Sequence, residues 1–292
     1  MGQYSIKELE KLSGIKAHTI RIWEKRYRIV APQRTSTNIR YYSDDDLKKI
    51  INVSVLNNNG VKISKIADLS HEELVKRVGE LSDAVANTSV HIDRLIVAMV
   101  DLNEGYFEKI LAEIVGRMGF ERTITEVVYP FLDKIGLLWQ TGNISPAQEH
   151  FISNLIRQKI IVAIDGLPIP SVTRPSALLF LPEGELHELG LLFYHYIARR
   201  ENFRTFYLGQ TAPLLDILSI NEKYQPRFLI TSITNSPSPQ SVQGYLNRLC
   251  KECADAIILA SGSALRKTAL KMPKNLHFFS NIRELRTLLK GN

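Results

Sequence analysis

The residues Ser176-Ala177-Leu178-Leu179-Phe180-Leu181 lead to Glu185-Leu186-His187-Glu188-Leu189-Gly190, and behind these comes Leu191-Leu192-Phe193-Tyr194-His195-Tyr196-Ile197. The first stretch is a short continuous apolar run, the pattern of a buried strand, and the last reads as a helix. A histidine and a glycine therefore stand where a strand hands over to a helix. In an open α/β sheet that crevice, beyond the carboxyl end of a strand, is where ligands bind. A histidine in such a loop is more often a hydrogen-bonded loop residue than a ligand, so its position alone leaves His187 open between the two.

The alternation continues outward from this point. After Ala177 to Leu181, the segments Phe203 to Leu208, Phe228 to Ile233, Ala256 to Ala260 and Leu276 to Phe279 read as further strands with helix-like runs between them. Five such units predict a doubly wound α/β domain over residues 176–292, a parallel sheet of flavodoxin-like (Rossmann-type) order. Just upstream, Gly166 to Pro175 holds three prolines and reads as a stiff linker. Residues 90–166 carry no strand signal. His91 to Leu102, Tyr106 to Met118, Glu121 to Trp139 and Pro146 to Asp165 read as helices with short connections, which predicts a four-helix bundle. The two cysteines, Cys250 and Cys253, fall in the helix-like run ending there and are expected as buried small side chains.

Charge singles out the other end of the chain. Residues 1–43 hold nine Lys/Arg against three Glu, which is six of the net seven positive charges of the 292-residue chain. Their partner should be a polyanion. Within this segment Ile6, Leu9 and Leu12 share one helical face behind Ser5, Gly14 breaks the pattern, and a second helix runs from Ala17 to Tyr27. Ile20 and Trp23 face inward there, leaving Arg21, Lys25 and Arg26 outside. Two short helices about a glycine turn are the helix-turn-helix pattern. Arg28 to Tyr42 then reads as a β-hairpin wing whose Arg34 and Arg40 reach phosphates and whose Tyr41 or Tyr42 braces a strand. Helices follow over Asp44 to Asn57, capped by Ser43, over Val61 to Leu69, and over Ser70 to Leu81, with Ser82 to Ser89 as a linker. No apolar run approaches the roughly eighteen residues of a membrane span. The first residues, Met1 to Lys7, lack a secretion signal, so a cytoplasmic protein is expected.

Tyr4-Ser5-Ile6, Thr19-Ile20-Arg21-Ile22-Trp23-Glu24-Lys25-Arg26-Tyr27 and Arg40-Tyr41-Tyr42-Ser43 together resemble the winged-helix domain of MerR-type transcription regulators. The resemblance implies a DNA-binding domain over residues 1–80 that contacts a double-stranded operator through Thr19, Arg21, Lys25, Arg26, Arg34, Arg40, Tyr41 and Tyr42. Classical members follow the wing with a long dimerisation helix. The helix here is short, so assembly is expected from elsewhere in the chain.

The C-terminal half resembles a cobalamin-binding module. Glu185-x-His187-x-x-Gly190 is followed after 41 intervening residues by Ser232-Ile233-Thr234, and after 27 more by Gly262-Ser263. The resemblance implies His187 as the lower cobalt ligand, Glu185 as acceptor for its other ring N–H, and Ser232, Thr234, Gly262 and Ser263 lining a slot for the nucleotide tail. Glu185 stands where Asp is more usual. Ser263 replaces a second glycine, which puts a side chain beside the expected tail. In residues 90–166, Trp139 and, after nine intervening residues, Glu149-His150 resemble the bundle of light-responsive cobalamin regulators of the CarH/LitR type. There these positions cover the upper face of adenosylcobalamin. Gln140 stands where such photoreceptors carry a histidine, and an amide is a poor substitute for imidazole on cobalt.

These resemblances imply a non-enzymatic repressor whose ligand-dependent homo-oligomer, a dimer or tetramer, sits on DNA under the control of adenosylcobalamin and light. Two other readings share the same residues. One is a MerR-type regulator that has lost cobalamin and answers to a partner protein; the other is a corrinoid-carrying component of a methyltransferase, against which the winged helix argues.

Overall fold

The structure is a computed structural model that describes residues 3–84, 88–139, 145–235, 238–266 and 273–291. By compactness the chain divides into two units, Met1–Leu155 and Ile156–Asn292.

The first unit opens with α1 (Ile6–Ser13) and α2 (Ala17–Tyr27), joined through Gly14, whose φ of 72° ends α1 in the left-handed region. The wing is β1 (Gln33–Arg34) paired antiparallel with β2 (Arg40–Tyr41). Tyr4 and Tyr42 then exchange backbone hydrogen bonds at 2.9 and 2.8 Å, which ties the start of the chain to the end of the wing. Both rings are buried. Tyr42 therefore belongs to the core with Leu9, Leu12, Ile20 and Trp23, and its ring cannot brace a DNA strand; of the tyrosine pair only Tyr41 stays half-exposed.

Next come α3 (Asp44–Asn58), α4 (Ile63–Ala67) and α5 (His71–Ala84). Ser43 caps α3 by accepting from the Asp46 amide at 3.2 Å. The expected linker over Ser82 to Ser89 is shorter than its composition suggests. Helix α5 continues to Ala84 and α6 (Thr88–Val100) begins before the segment ends, while residues 85–87 lie outside the described residues. Helix α3 packs against both α5 and α6, and Lys48 on α3 bridges Asp101, just beyond α6, at 2.6 Å. Residues expected as a separate DNA-binding part and the first central helices thus share one compact unit.

After α7 (Glu104–Met118), the stretch read as one helix from Glu121 to Trp139 is three pieces: α8 (Phe120–Thr123), a π-helical turn over Ile124–Val128, and α9 (Tyr129–Trp139). Pro130 gives the reason. It has no amide to donate and its ring crowds the carbonyl four residues back, so the turn before it widens, with the Tyr129 amide reaching Ile124. Helix α10 (Pro146–Asp165) has the expected bounds.

The second unit holds β3 (Ser176–Pro182), α11 (Glu188–Arg200), β4 (Arg204–Ala212), α12 (Leu214–Tyr224), β5 (Phe228–Ser232), α13 (Pro239–Glu252), β6 (Ile257–Ser261), α14 (Ser263–Arg266), β7 (Leu276–Phe278) and α15 (Ile282–Lys290). The strands form one parallel sheet in the order β4-β3-β5-β6-β7, the flavodoxin-like arrangement. Leu178 to Leu181 are fully buried, as a central strand covered on both faces requires. Strand β4 runs four residues past its expected end, because irregularities in its pairing with β3 let the edge continue through Gly209 and Thr211, both at positive φ. The proline segment before β3 is held by Arg199, whose guanidinium donates to the Leu167 and Pro168 carbonyls at 3.1 and 3.0 Å. Cys250 and Cys253 are buried, and burial pushes both thiols up to about 11.

Candidate functional site

Strand order decides where the second unit binds. From β3 the chain passes outward to β4 and then returns on the other side of β3 to β5, so the loops after β3 and β5 diverge and leave a crevice at the switch point. The loop after β3 carries Glu185 and His187, and the loop after β5 carries Thr234 and Asn235.

Glu185 joins the two loops. It is 3% exposed and accepts five hydrogen bonds. Oε1 accepts from the Leu186 and His187 amides, each at 3.0 Å, and meets Nδ1 of His187 at 2.5 Å. Oε2 accepts from the amides of Thr234 at 2.7 Å and Asn235 at 2.9 Å. Burial alone would push this carboxyl up, but the bonds from the His187 ring and the backbone amides of Asn235, His187 and Thr234 outweigh it and hold the pKa at about 2. At neutral pH it is a fixed carboxylate. The His187 side chain is 54% exposed at the N-cap position of α11, so the ring stands at the mouth of the crevice with one nitrogen secured.

The next residue is pinned as well. Glu188 accepts from the Tyr207 hydroxyl at 2.8 Å and pairs with Arg157 at 3.2 Å. Nothing in the spacing of the chain pointed to Tyr207 or Arg157. Gly190 lies one turn into α11, where an added Cβ would meet Tyr194 at an ordinary 3.7 Å, so packing among the described residues does not demand glycine there.

On the far side of the crevice, Gly262 has φ +118° and a Cβ would stand 2.1 Å from the Ile233 carbonyl oxygen. Only glycine fits, and it lets the loops after β5 and β6 touch. Ser263 donates to the Thr234 carbonyl at 2.9 Å, so its hydroxyl is turned onto the neighbouring loop rather than left across the slot. Ser232 is buried at the end of β5, 3.5 Å from Ser261, whose hydroxyl meets that of Tyr194 at 2.7 Å. Ser261 and Tyr194 therefore complete the floor beneath Ser232; the parallel register of β5 and β6 sets Ser261 beside Ser232, and Tyr194 reaches them from the middle of α11.

In the central helices Glu149 and His150 sit in the first turn of α10, with His150 73% exposed and its Nδ1 3.1 Å from Glu149. Trp139 ends α9, and its side chain, like all of Gln140, lies outside the described residues.

At the N-terminal end Arg21, Lys25 and Arg26 on α2 and Arg34 and Arg40 on the wing are exposed, with Thr19 half-exposed. Arg34 donates to Asn38 at 2.6 Å and Tyr41 to Gln33 at 2.6 Å, bonds that stiffen the hairpin. Arg40 lies 3.8 Å from Glu24, whose carboxylate also accepts from the Tyr42 hydroxyl at 3.2 Å. Arg28, overlooked from sequence, joins Arg34 and Arg40 around an open cleft of about 340 Å³ between α2 and the wing. Its positive φ of 52° at the end of α2 turns the chain into the wing. The result is a cationic face of the kind that positions a protein on a phosphate backbone.

Both regions have counterparts in known proteins. Residues 4–73 match the MerR HTH family regulatory protein, and residues 91–163 match the B12 binding domain. The chain joins a MerR-type helix-turn-helix region to a B12-binding domain. The regulator is 28% identical over 252 residues to the HTH-type transcriptional repressor CarH of Myxococcus xanthus, covering 84% of each chain. It is 24% identical over 274 residues to the repressor CarA of the same organism, covering 90% of this chain and 87% of that one. Among solved structures it resembles the monomethylamine corrinoid protein of Methanosarcina barkeri, with a TM-score of 0.55, 15% identity, and coverage of 70% of this chain and 98% of that one, a likeness of fold. The regulator thus carries a DNA-binding region, and cobalamin is its class of cofactor. Among the described residues no helix is long and apolar enough to cross a membrane.

Proposed function

We propose that the regulator is a cytoplasmic repressor whose oligomerisation and operator binding depend on adenosylcobalamin and are reversed by light, with His187 as the lower cobalt ligand. The observation that carries this reading is the Glu185–His187 pair. A buried carboxylate engages Nδ1 of an imidazole that stands more than half exposed at the crevice mouth. That selects the tautomer in which Nε2 ligates, and it raises the basicity of the ring.

One further feature fits the group. Gly190, whose small size the described packing does not require, suits a broad face lying against α11. Bound adenosylcobalamin would supply a light-sensitive cobalt–carbon bond. The chain's own residues would hold and frame it: Glu185 fixes His187, while Thr234, Gly262 and Ser263 border the slot for the nucleotide tail and Ser232 lies in its floor. Trp139 would stack on the upper group, and Glu149 and His150 would hydrogen-bond the adenosyl sugar or base. Several winged helices brought together by the oligomer would gain operator affinity through effective concentration, without new contacts per copy.

The test is titration of the purified chain with adenosylcobalamin in darkness. The wild type is expected to retain the cofactor through dialysis and show a bound spectrum. His187→Ala should bind more than about tenfold more weakly, since even outer-shell partners of a metal ligand change affinity by that much. Equal binding by both proteins would remove His187 from the site. No binding by either would leave a regulator controlled by another partner.

A further inference from the structure

Helix α2 presents one residue whose chemistry does not suit a solvated basic surface. His18, Arg21, Ile22 and Lys25 stand at i, i+3, i+4 and i+7, so they form a single stripe, and all four are exposed. Ile22 is 52% exposed, while the buried residues of this helix are Ile20 and Trp23. A β-branched side chain is also a poorer helix former than the arginine and lysine around it. Neither core packing nor helix propensity therefore accounts for an isoleucine in the middle of this stripe.

The occupant follows from the fold and the charge. In a winged helix-turn-helix the second helix enters the major groove, and the cations around it position it on phosphates without reading sequence. Among the bases only thymine offers a methyl group in that groove, and an apolar side chain is what contacts it. We propose that Ile22 is a specificity-determining residue that reads a thymine methyl in the operator. This inference rests on the DNA-binding function alone, so it and the cofactor reading fail separately.

The test uses duplexes enriched by the full chain from a random-sequence library at low salt, with and without adenosylcobalamin in darkness. The enriched duplex is then remade with deoxyuridine in place of thymidine, which removes only the methyl groups. Wild-type affinity should fall roughly fourfold for each methyl read, the equivalent of about 0.8 kcal/mol for one buried methyl-sized group. Ile22→Ala should bind the thymidine duplex weakly and lose nothing more on the uracil duplex. Its circular dichroism should match the wild type, because alanine favours helix. Ile39, 64% exposed on the wing turn, is the comparison: Ile39→Ala should keep the full sensitivity to methyl loss. The proposal is overturned if no sequence is enriched, if the wild type ignores the uracil exchange, if Ile22→Ala remains as sensitive as the wild type, or if Ile39→Ala abolishes the sensitivity.

Discussion

Glu185→Ala is expected to destabilise the C-terminal unit by about 3 kcal/mol or more and to abolish cobalamin retention. The substitution leaves four backbone amides and the Nδ1 of His187 without their acceptor, on two loops that this carboxylate joins. Each hydrogen bond to a charged group contributes about 1.5–3 kcal/mol, and each buried donor left orphaned costs about 1–3. Relaxation and water entry will recover part of that sum. Chemical denaturation, followed by fluorescence, measures the loss. Glu185→Gln should fall between wild type and alanine, because it keeps the size of the side chain but turns an NH₂ towards one pair of amides. The sign of the pH dependence follows from the depressed pKa. The stability this carboxylate contributes is fully present above its ordinary value of 4.5 and disappears as the pH falls towards about 2. A Glu185→Ala protein that unfolds at the wild-type midpoint would mean the two loops are held by something else.

Gly262→Ala is the second large effect, and its cause is steric. The new Cβ would lie 2.1 Å from the Ile233 carbonyl oxygen and 2.7 Å from its nitrogen, in a residue held at φ +118°. Backbone strain of about 1–3 kcal/mol and overpacking of similar size both apply, so a loss of about 3 kcal/mol is expected. The loops after β5 and β6 would both shift. Gly190→Ala makes the contrast, since its Cβ would meet Tyr194 at 3.7 Å and its φ is ordinary for a helix. It should unfold near the wild-type midpoint while still weakening cobalamin. Comparing thermal midpoints of the two variants checks the account: similar losses in both would contradict the loop contact at Gly262.

Much of the fold was legible because the central strands β3, β5 and β6 announced themselves as short apolar runs, and because Ser145 caps α10 by accepting from the Gln148 amide. What the sequence concealed were pairings between distant residues. Tyr42 looked like one of two exposed aromatics at the end of a wing, and only its bridge to Tyr4, 38 residues earlier, turns it into the core. Glu185 was recognisable as a partner of His187, two residues away. Its second pair of donors lies about fifty residues on, at Thr234 and Asn235, and follows from the strand order rather than from any local pattern. The same holds for Tyr207 and Arg157 around Glu188. The extension of β4 was hidden because its bulged end, with Gly209 and Thr211 at positive φ, breaks the alternation by which strands are read. The π turn was within reach: Pro130 inside a helical run is a sign that the hydrogen-bond ladder must change there.

On the proposed function, one molecule couples an imidazole-held cobalamin to winged helices on DNA. The measurement that tests it most directly is operator affinity of the purified chain, with and without adenosylcobalamin in darkness, and again after illumination of the same sample. The account predicts that the dark cofactor tightens binding, by about ten- to a hundredfold if it brings a second winged helix onto the duplex, and that light returns the affinity towards that of the cofactor-free chain. Affinity that stays the same in all three states, with the cofactor shown to be bound, would contradict it.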